Sequence, residues 1–136
     1  MHSSSWLAKL PELARRQLFT AGKRRQLQCG EALFYRGDAF DGIYILEQGL
    51  LLISGVSLQG EEALLTVLGP QAVLGEIALF DNQARTHDAI AAQPCQLLHL
   101  SGGALTELLQ QEPIWWQRFG QLLTSKIREA FVALEQ

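Results

Sequence analysis

The chain has little of what metal centres, disulfide scaffolds and membrane spans are built from. Its 136 residues include two cysteines and three histidines. Cys29 and Cys95 stand far apart and form no CxxC pair. A disulfide framework is therefore not expected, and a reducing, cytoplasmic setting is. His2, His87 and His99 lie on separate segments without HxH spacing, so no set of ligands converges and no metal is expected. The same scarcity leaves no Ser–His–Asp arrangement to assemble, and the chain does not read as an enzyme. No apolar run approaches the ~20 residues that cross a bilayer, so no membrane partner is expected. The segment Met1-His2-Ser3-Ser4-Ser5-Trp6 lacks the basic-then-apolar layout of a signal peptide. A net charge of −3 argues against a nucleic-acid surface spread over the whole chain. Low-complexity segments and solenoid-length repeats are missing too.

What is present suits one small domain. Hydrophobic residues make up 48% of the sequence, enough for a single core without staples. The apolar period changes twice along the chain. Ser3 to Ser5 can cap a first helical turn, and Pro11 suits the start of a second helix running to about Ala21. Arg15, Arg16, Lys23, Arg24 and Arg25 form a basic cluster, read as a solvated helix face rather than a partner-binding patch. From Arg25 to Leu100 come short apolar runs: Ala32–Tyr35, Ile43–Leu46, Leu50–Ile53, Ala63–Val67 and Cys95–Leu100. Turn-formers separate them, as at Gly37-Asp38, Asp41-Gly42, Gln59-Gly60 and Asp81-Asn82, and this spacing indicates an antiparallel sandwich or barrel. Ser101 is placed to cap a helix through Leu105, Leu108 and Leu109. Pro113 begins a final helix whose apolar positions Trp116, Phe119, Leu123, Ile127, Ala130 and Leu134 recur at three- and four-residue steps. Trp115, Leu122, Phe131 and Val132 widen that surface beyond one stripe. The expected organisation is a helical segment over 1–24, a mainly β domain over 25–112 and a helix over 113–136.

Within the β region, Gly75-Glu76-Ile77-Ala78-Leu79 and then Arg85-Thr86 make a compact kit for holding a sugar phosphate. Gly75 lacks a Cβ, so a ligand can approach its backbone. A short helix starting at Glu76-Ile77-Ala78 turns free N–H groups toward an anion. Arg85 adds a permanent charge with a planar fork of donors. Glu76 can accept from a ribose hydroxyl, and the Thr86 hydroxyl serves phosphate or base. Singly, each residue has a plainer reading as surface charge or turn.

Together with Gly30-Glu31, Gly37-Asp38, Tyr44-Ile45-Leu46, Gly49, Gly60-Glu61 and Leu68-Gly69-Pro70, this kit resembles the cyclic-nucleotide-binding domain. That module serves the catabolite-activator and fumarate–nitrate regulator family, and also cyclic-nucleotide-dependent kinases and channels. The resemblance covers about residues 25–136. It implies a double-stranded β-helix, a jelly-roll-like β-roll flanked by helices, with a long C-terminal dimerisation helix. It further implies a cyclic nucleotide, cAMP or cGMP, held by the cassette Gly75, Glu76, Ile77, Ala78, Arg85 and Thr86. Glu76 would meet the ribose 2′-hydroxyl, Arg85 the cyclic phosphate, and Thr86 the phosphate or base. The final helix would pair with its mate through Phe119, Leu123, Ile127, Ala130 and Leu134 in a homodimer. Regulators of that family continue into a helix-turn-helix domain that nothing here matches, so DNA is expected as a partner only through a domain beyond Gln136.

The sequence departs from the family pattern at three places. Gln71-Ala72 replaces the Gly-Asp before the cassette, so that turn is made differently. His87 and Asp88 stand where alanine and small strand-formers are usual; His87 is either a solvated strand residue or a group that complements the anion, more so when protonated. Ala130 and Phe131 fall where catabolite activators use threonine and serine on the adenine. Phe131 can still stack on a ring or serve as a core residue. The alternatives are a degenerate module that dimerises without nucleotide, and the sensor of a channel or kinase.

Overall fold

A computed structural model describes residues 4–135. Helices α1 (Ser4–Lys9) and α2 (Glu12–Ala21) precede strands β1 (Lys23–Leu27), β2 (Ala32–Phe34), β3 (Gly42–Gln48), β4 (Leu51–Val56), β5 (Glu62–Leu68) and β6 (Val73–Leu74). Then come α3 (Ile77–Asp81), β7 (Asp88–Ala91), β8 (Cys95–Ser101), α4 (Gly102–Gln111) and α5 (Ile114–Leu134). The strands form two four-stranded antiparallel sheets, β1-β8-β3-β6 and β2-β7-β4-β5. With its flanking helices and long last helix, this is the mainly β architecture that the glycine-punctuated runs announce.

Along its inner strands, β3 and β8, the first sheet is buried on both faces, and the sequence says so. Successive strand side chains point to opposite faces. On β3, Tyr44 and Leu46 enter the core between the sheets, while Ile43 and Ile45 enter a second core under the helices. β8 divides likewise, Leu97 facing inward and Leu98 and Leu100 facing the helices. A strand used on both faces must read as a continuous apolar run, as these do. The helical core is closed by Trp6, Leu105, Trp115, Phe119 and Leu122. Trp6 stacks on Phe119 at 5.8 Å between ring centroids and donates its indole N–H to Arg118 O at 2.7 Å.

Several sequence expectations change at this level. The basic cluster splits: Arg15 and Arg16 ride on α2, but Lys23, Arg24 and Arg25 lie on β1, paired to His99, Leu98 and Leu97 of β8. The β region thus begins at Lys23. With Leu27 its only buried residue, β1 shows no alternation to betray a strand. Phe119 is not a dimer-seam residue, because it is 1% exposed within its own chain, packed on Trp6 and Trp115. Pro11 and Pro113 precede α2 and α5, and Ser101 Oγ accepts from Ala104 N at the start of α4. Of the expected cap at Ser3–Ser5, Ser3 lies outside the described residues and Ser4 opens α1. Gln71 makes its turn with φ +74, its N–H bonded to Leu46 O at 2.6 Å. Cys29 and Cys95 are both free, the first exposed and the second buried in the inter-sheet core.

Candidate functional site

The cassette folds around a buried arginine. Gly75, at the end of β6, has φ +92, a conformation that suits glycine. A Cβ there would lie 2.6 Å from Arg85 Nη1, so the glycine also makes room for the guanidinium. Glu76 follows as the residue before α3, and the chain returns through Asn82, left-handed at φ +53, to bring Arg85 and Thr86 back beside Gly75.

Arg85 is 5% exposed. Its Nη1 donates to Gly75 O at 2.8 Å, and its Nη2 donates to Gly42 O and to Asp41 Oδ1, both at 2.7 Å. The guanidinium also lies 4.5 Å from the Phe34 ring centroid and 5.2 Å from that of Phe40. Nε is buried and has no hydrogen-bond partner among the described residues. Tyr44, fully buried, donates its hydroxyl to Asp41 Oδ2 at 2.7 Å. Burial works against the Asp41 charge, but the hydrogen bonds from Tyr44 and Arg85 outweigh it and hold the carboxyl below its ordinary range. Burial and the Asp41 bond push the Tyr44 phenol upward, so it stays a donor.

Glu76 is held from the other side. Its side chain is 2% exposed, and Lys126 of α5 places Nζ 2.6 Å from Oε1 while donating to Val73 O, also at 2.6 Å. One lysine therefore ties the last helix to both β6 and the cassette. A buried carboxylate demands such a partner.

Arg85, Glu76 and Lys126 line one cavity of about 410 Å³ between the β-roll and α5. The cassette contributes Gly75, Glu76, Ile77, Ala78, Arg85, Thr86 and His87, and α5 contributes Lys126, Glu129, Ala130 and Ala133. Phe34, Ile53, Leu65, Thr66, Leu68, Leu74 and Ala84 complete the wall. Thr86 Oγ1 lies 2.7 Å from His87 Nδ1. Burial first, then the Arg36 charge, lowers the His87 pKa from its ordinary value, with Asp88 opposing. All six cassette residues meet at the cavity, His87 joins them, and Ala130 lies opposite on α5. Phe131 does not line the cavity; it is 62% exposed on another face of the helix, which removes it as a ring-stacking residue within its own protomer. Leu123 is partly buried, while Ile127 and Leu134 are exposed at 48% and 81%.

Three groups on or behind the cavity wall escape a sequence reading: Thr66 and Lys126 line it, and Asp41 supports Arg85. Asp41 looks like a turn residue, and Thr66 like one more strand position. Lys126 had a signal: it continues the buried row Trp115, Phe119, Leu122 by one helical turn, so a cation falls where the helix faces the core. Among the described residues no cluster of histidine, cysteine or carboxylate side chains could hold a metal, and no helix is long and apolar enough to cross a membrane.

Comparison with known proteins agrees with this geometry. The family model described as "Cyclic nucleotide-binding domain" matches residues 24–112. The Cyclic AMP receptor protein of Thermus thermophilus is 30% identical over 113 residues, 83% of this chain and 52% of that protein. The CRP-like cAMP-activated global transcriptional regulator of Mycobacterium tuberculosis is 27% identical over 99 residues, 73% of this chain and 44% of its own. The chain thus spans about half the length of these curated relatives. The crystal structure of Thermus thermophilus Catabolite Activator Protein superposes with a TM-score of 0.83 at 27% identity, covering 96% of this chain and 61% of that one. By its cassette, its fold and these matches, the chain belongs to the cyclic nucleotide-binding domain family, with regulators of the catabolite-activator type among its relatives.

Proposed function

We propose that this chain is the effector-binding and dimerisation unit of a cytoplasmic, non-enzymatic transcriptional regulator, with a cyclic nucleotide, cAMP or cGMP, as its effector. The observation that carries the reading is the meeting of Gly75, Glu76, Arg85 and Thr86 on one cavity roofed by α5. Its volume falls within the range of small-ligand sites. The unpartnered Arg85 Nε is a buried donor that an anion would satisfy. Glu76 would accept from a ribose hydroxyl in place of, or beside, Lys126. Ligand entry then biases the position of α5, which is a population shift communicated to whatever follows the helix. Leu123, Ile127, Ala130 and Leu134 would form the seam with a second copy, and DNA would be contacted only through a domain outside this chain. Supporting the seam is the row of exposed apolar residues along α5.

The test is thermal and calorimetric. A ligand that binds only the folded state adds about 2.7 kcal/mol at about 100 times its dissociation constant, a resolvable rise in melting temperature. A cyclic-nucleotide panel that leaves melting and heat unchanged would favour a second reading, a module that keeps the fold and takes no nucleotide. One observation speaks for that reading: the two terminal nitrogens of Arg85 are already engaged by Asp41 and two carbonyls.

A further inference from the structure

His87 sits in a slot made for it. Its ring lies against Gly55 of β4, where a Cβ would come within 3.1 Å of Cδ2 and 3.7 Å of Nε2. That same Cβ would come within 3.3 Å of Leu65 Cδ1, so glycine on β4 leaves space for both side chains. The other edge of the ring meets Thr86 Oγ1 at 2.7 Å through Nδ1, and both residues line the cavity.

A threonine hydroxyl has one proton to give. When it donates to Nδ1, it has none for a ligand. When Nδ1 carries the proton and donates to Oγ1, the hydroxyl hydrogen is free to turn into the cavity. An anion beside Thr86 requires the second arrangement, and an imidazolium enforces it while adding a positive charge. We propose that His87 is a ligand-binding residue that couples anion capture at Thr86 to the uptake of one proton, through the relay His87 Nδ1–H to Thr86 Oγ1–H to the anion.

The charges around the ring allow this. Arg36 and Asp88 stand beside it, and Arg36 N is bonded to Asp88 Oδ1 at 2.7 Å. Glu62 of β5 reaches Ser54, the neighbour of Gly55. The cavity wall also holds Arg85, Glu76, Lys126 and Glu129, of which the first is bridged to Asp41 and the next two to each other. Burial and Arg36 favour the neutral ring. A bound negative charge reverses that balance, so the ring holds its proton to higher pH in the complex. Ligand affinity must then rise as pH falls through the bound-state value and level off below the free-state value.

The inference rests on the proposed ligand reading, and the experiment separates the two. The intact chain is titrated calorimetrically with cAMP and cGMP, whose cyclic phosphates do not titrate in this range, between about pH 5 and 8, in buffers of different ionisation enthalpy. Wild type is expected to take up a fraction of a proton and to gain about tenfold in affinity on acidification for each unit by which binding raises the His87 pKa. His87→Gln, which keeps a hydrogen-bonding side chain but cannot titrate, should lose both the acid gain and the proton uptake. His87→Ala should do the same, and unfolding curves of both variants establish that they fold. Equal pH profiles in wild type and His87→Gln would overturn the coupling and leave the ligand reading standing. No binding of any probe at any pH would overturn both.

Discussion

Two parts of the cavity wall are built on opposite principles. At the cassette end, Glu76 and Arg85 are almost wholly buried and each is held by an opposite charge, Lys126 or Asp41. Where β5 and the later turns of α5 form the wall, it holds Leu65, Ala130 and Ala133 beside Thr66 and Glu129, and Leu65 is 56% exposed. One part fixes geometry through buried charge pairs, and the other is mostly apolar area with few polar groups. A ligand would be oriented by its anionic, hydroxyl-bearing part and merely accommodated at its remainder. The contrast teaches that affinity and orientation at this site come from different elements of the chain.

The comparison breaks first at Arg85. Replacing it by leucine strands the Asp41 carboxylate and the carbonyls of Gly42 and Gly75, and should lower stability by on the order of 3 kcal/mol in chemical denaturation. Asp41 is half exposed, which keeps the loss toward the lower end for a broken buried pair. A denaturation midpoint equal to wild type would mean that the cassette end is not held by this residue. Glu76→Gln comes next. It removes a charged acceptor worth about 1.5–3 kcal/mol, so cyclic-nucleotide affinity should fall at least about tenfold in calorimetry. Retained affinity would place the hydroxyl contact elsewhere.

Acid acts more gently on the same end. The folded-state pKa of Asp41 lies below its unfolded value, so its stabilisation is present above the unfolded pKa of about 3.9 and is lost as pH falls through the folded one. Asp41→Asn should therefore be less stable than wild type near neutrality, with the gap closing under acid titration monitored by circular dichroism. A gap that persists unchanged in acid would assign the effect to packing. The smallest change in fold stability belongs to the outer face of α5. Replacing Leu123 and Ile127 by glutamate should leave the β-roll nearly as stable, within about 0.5 kcal/mol for Ile127 as a surface position. Sedimentation should nonetheless show monomers where the unmodified chain self-associates, because like charges enter the seam. A wild-type chain that stays monomeric at every concentration excludes a dimer held by this helix alone.

Much of the fold can be read from residue order, for physical reasons visible in particular strands. Ile43-Tyr44-Ile45-Leu46 and Leu97-Leu98 must be continuous apolar runs because their strands are buried on both faces. β1 hides its nature because it is an edge strand whose arginines find partners on β3, Arg24 with Glu47 at the surface and Arg25 with the hydroxyl of the buried Tyr44. The cassette is legible because its chemistry is local, Gly75 and Arg85 standing ten positions apart. Its supports are not. Asp41 and Lys126 come from 44 and 41 positions away from Arg85; Asp41 carries no local mark of its role, and Lys126 only its place at the end of the buried row of α5. Phe119 misled for a related reason: an apolar stripe shows that a helix buries a face without saying against which chain.

The Lys126 tie has a mechanical consequence. It anchors α5 to β6 and to the cassette, and eight helical residues, 127–134, extend past it. At 1.5 Å per residue that overhang is about 12 Å long. Pivoting as a rigid segment beside Glu76, it would turn a tilt of about 10° at the cassette into a displacement of about 2 Å at the tip.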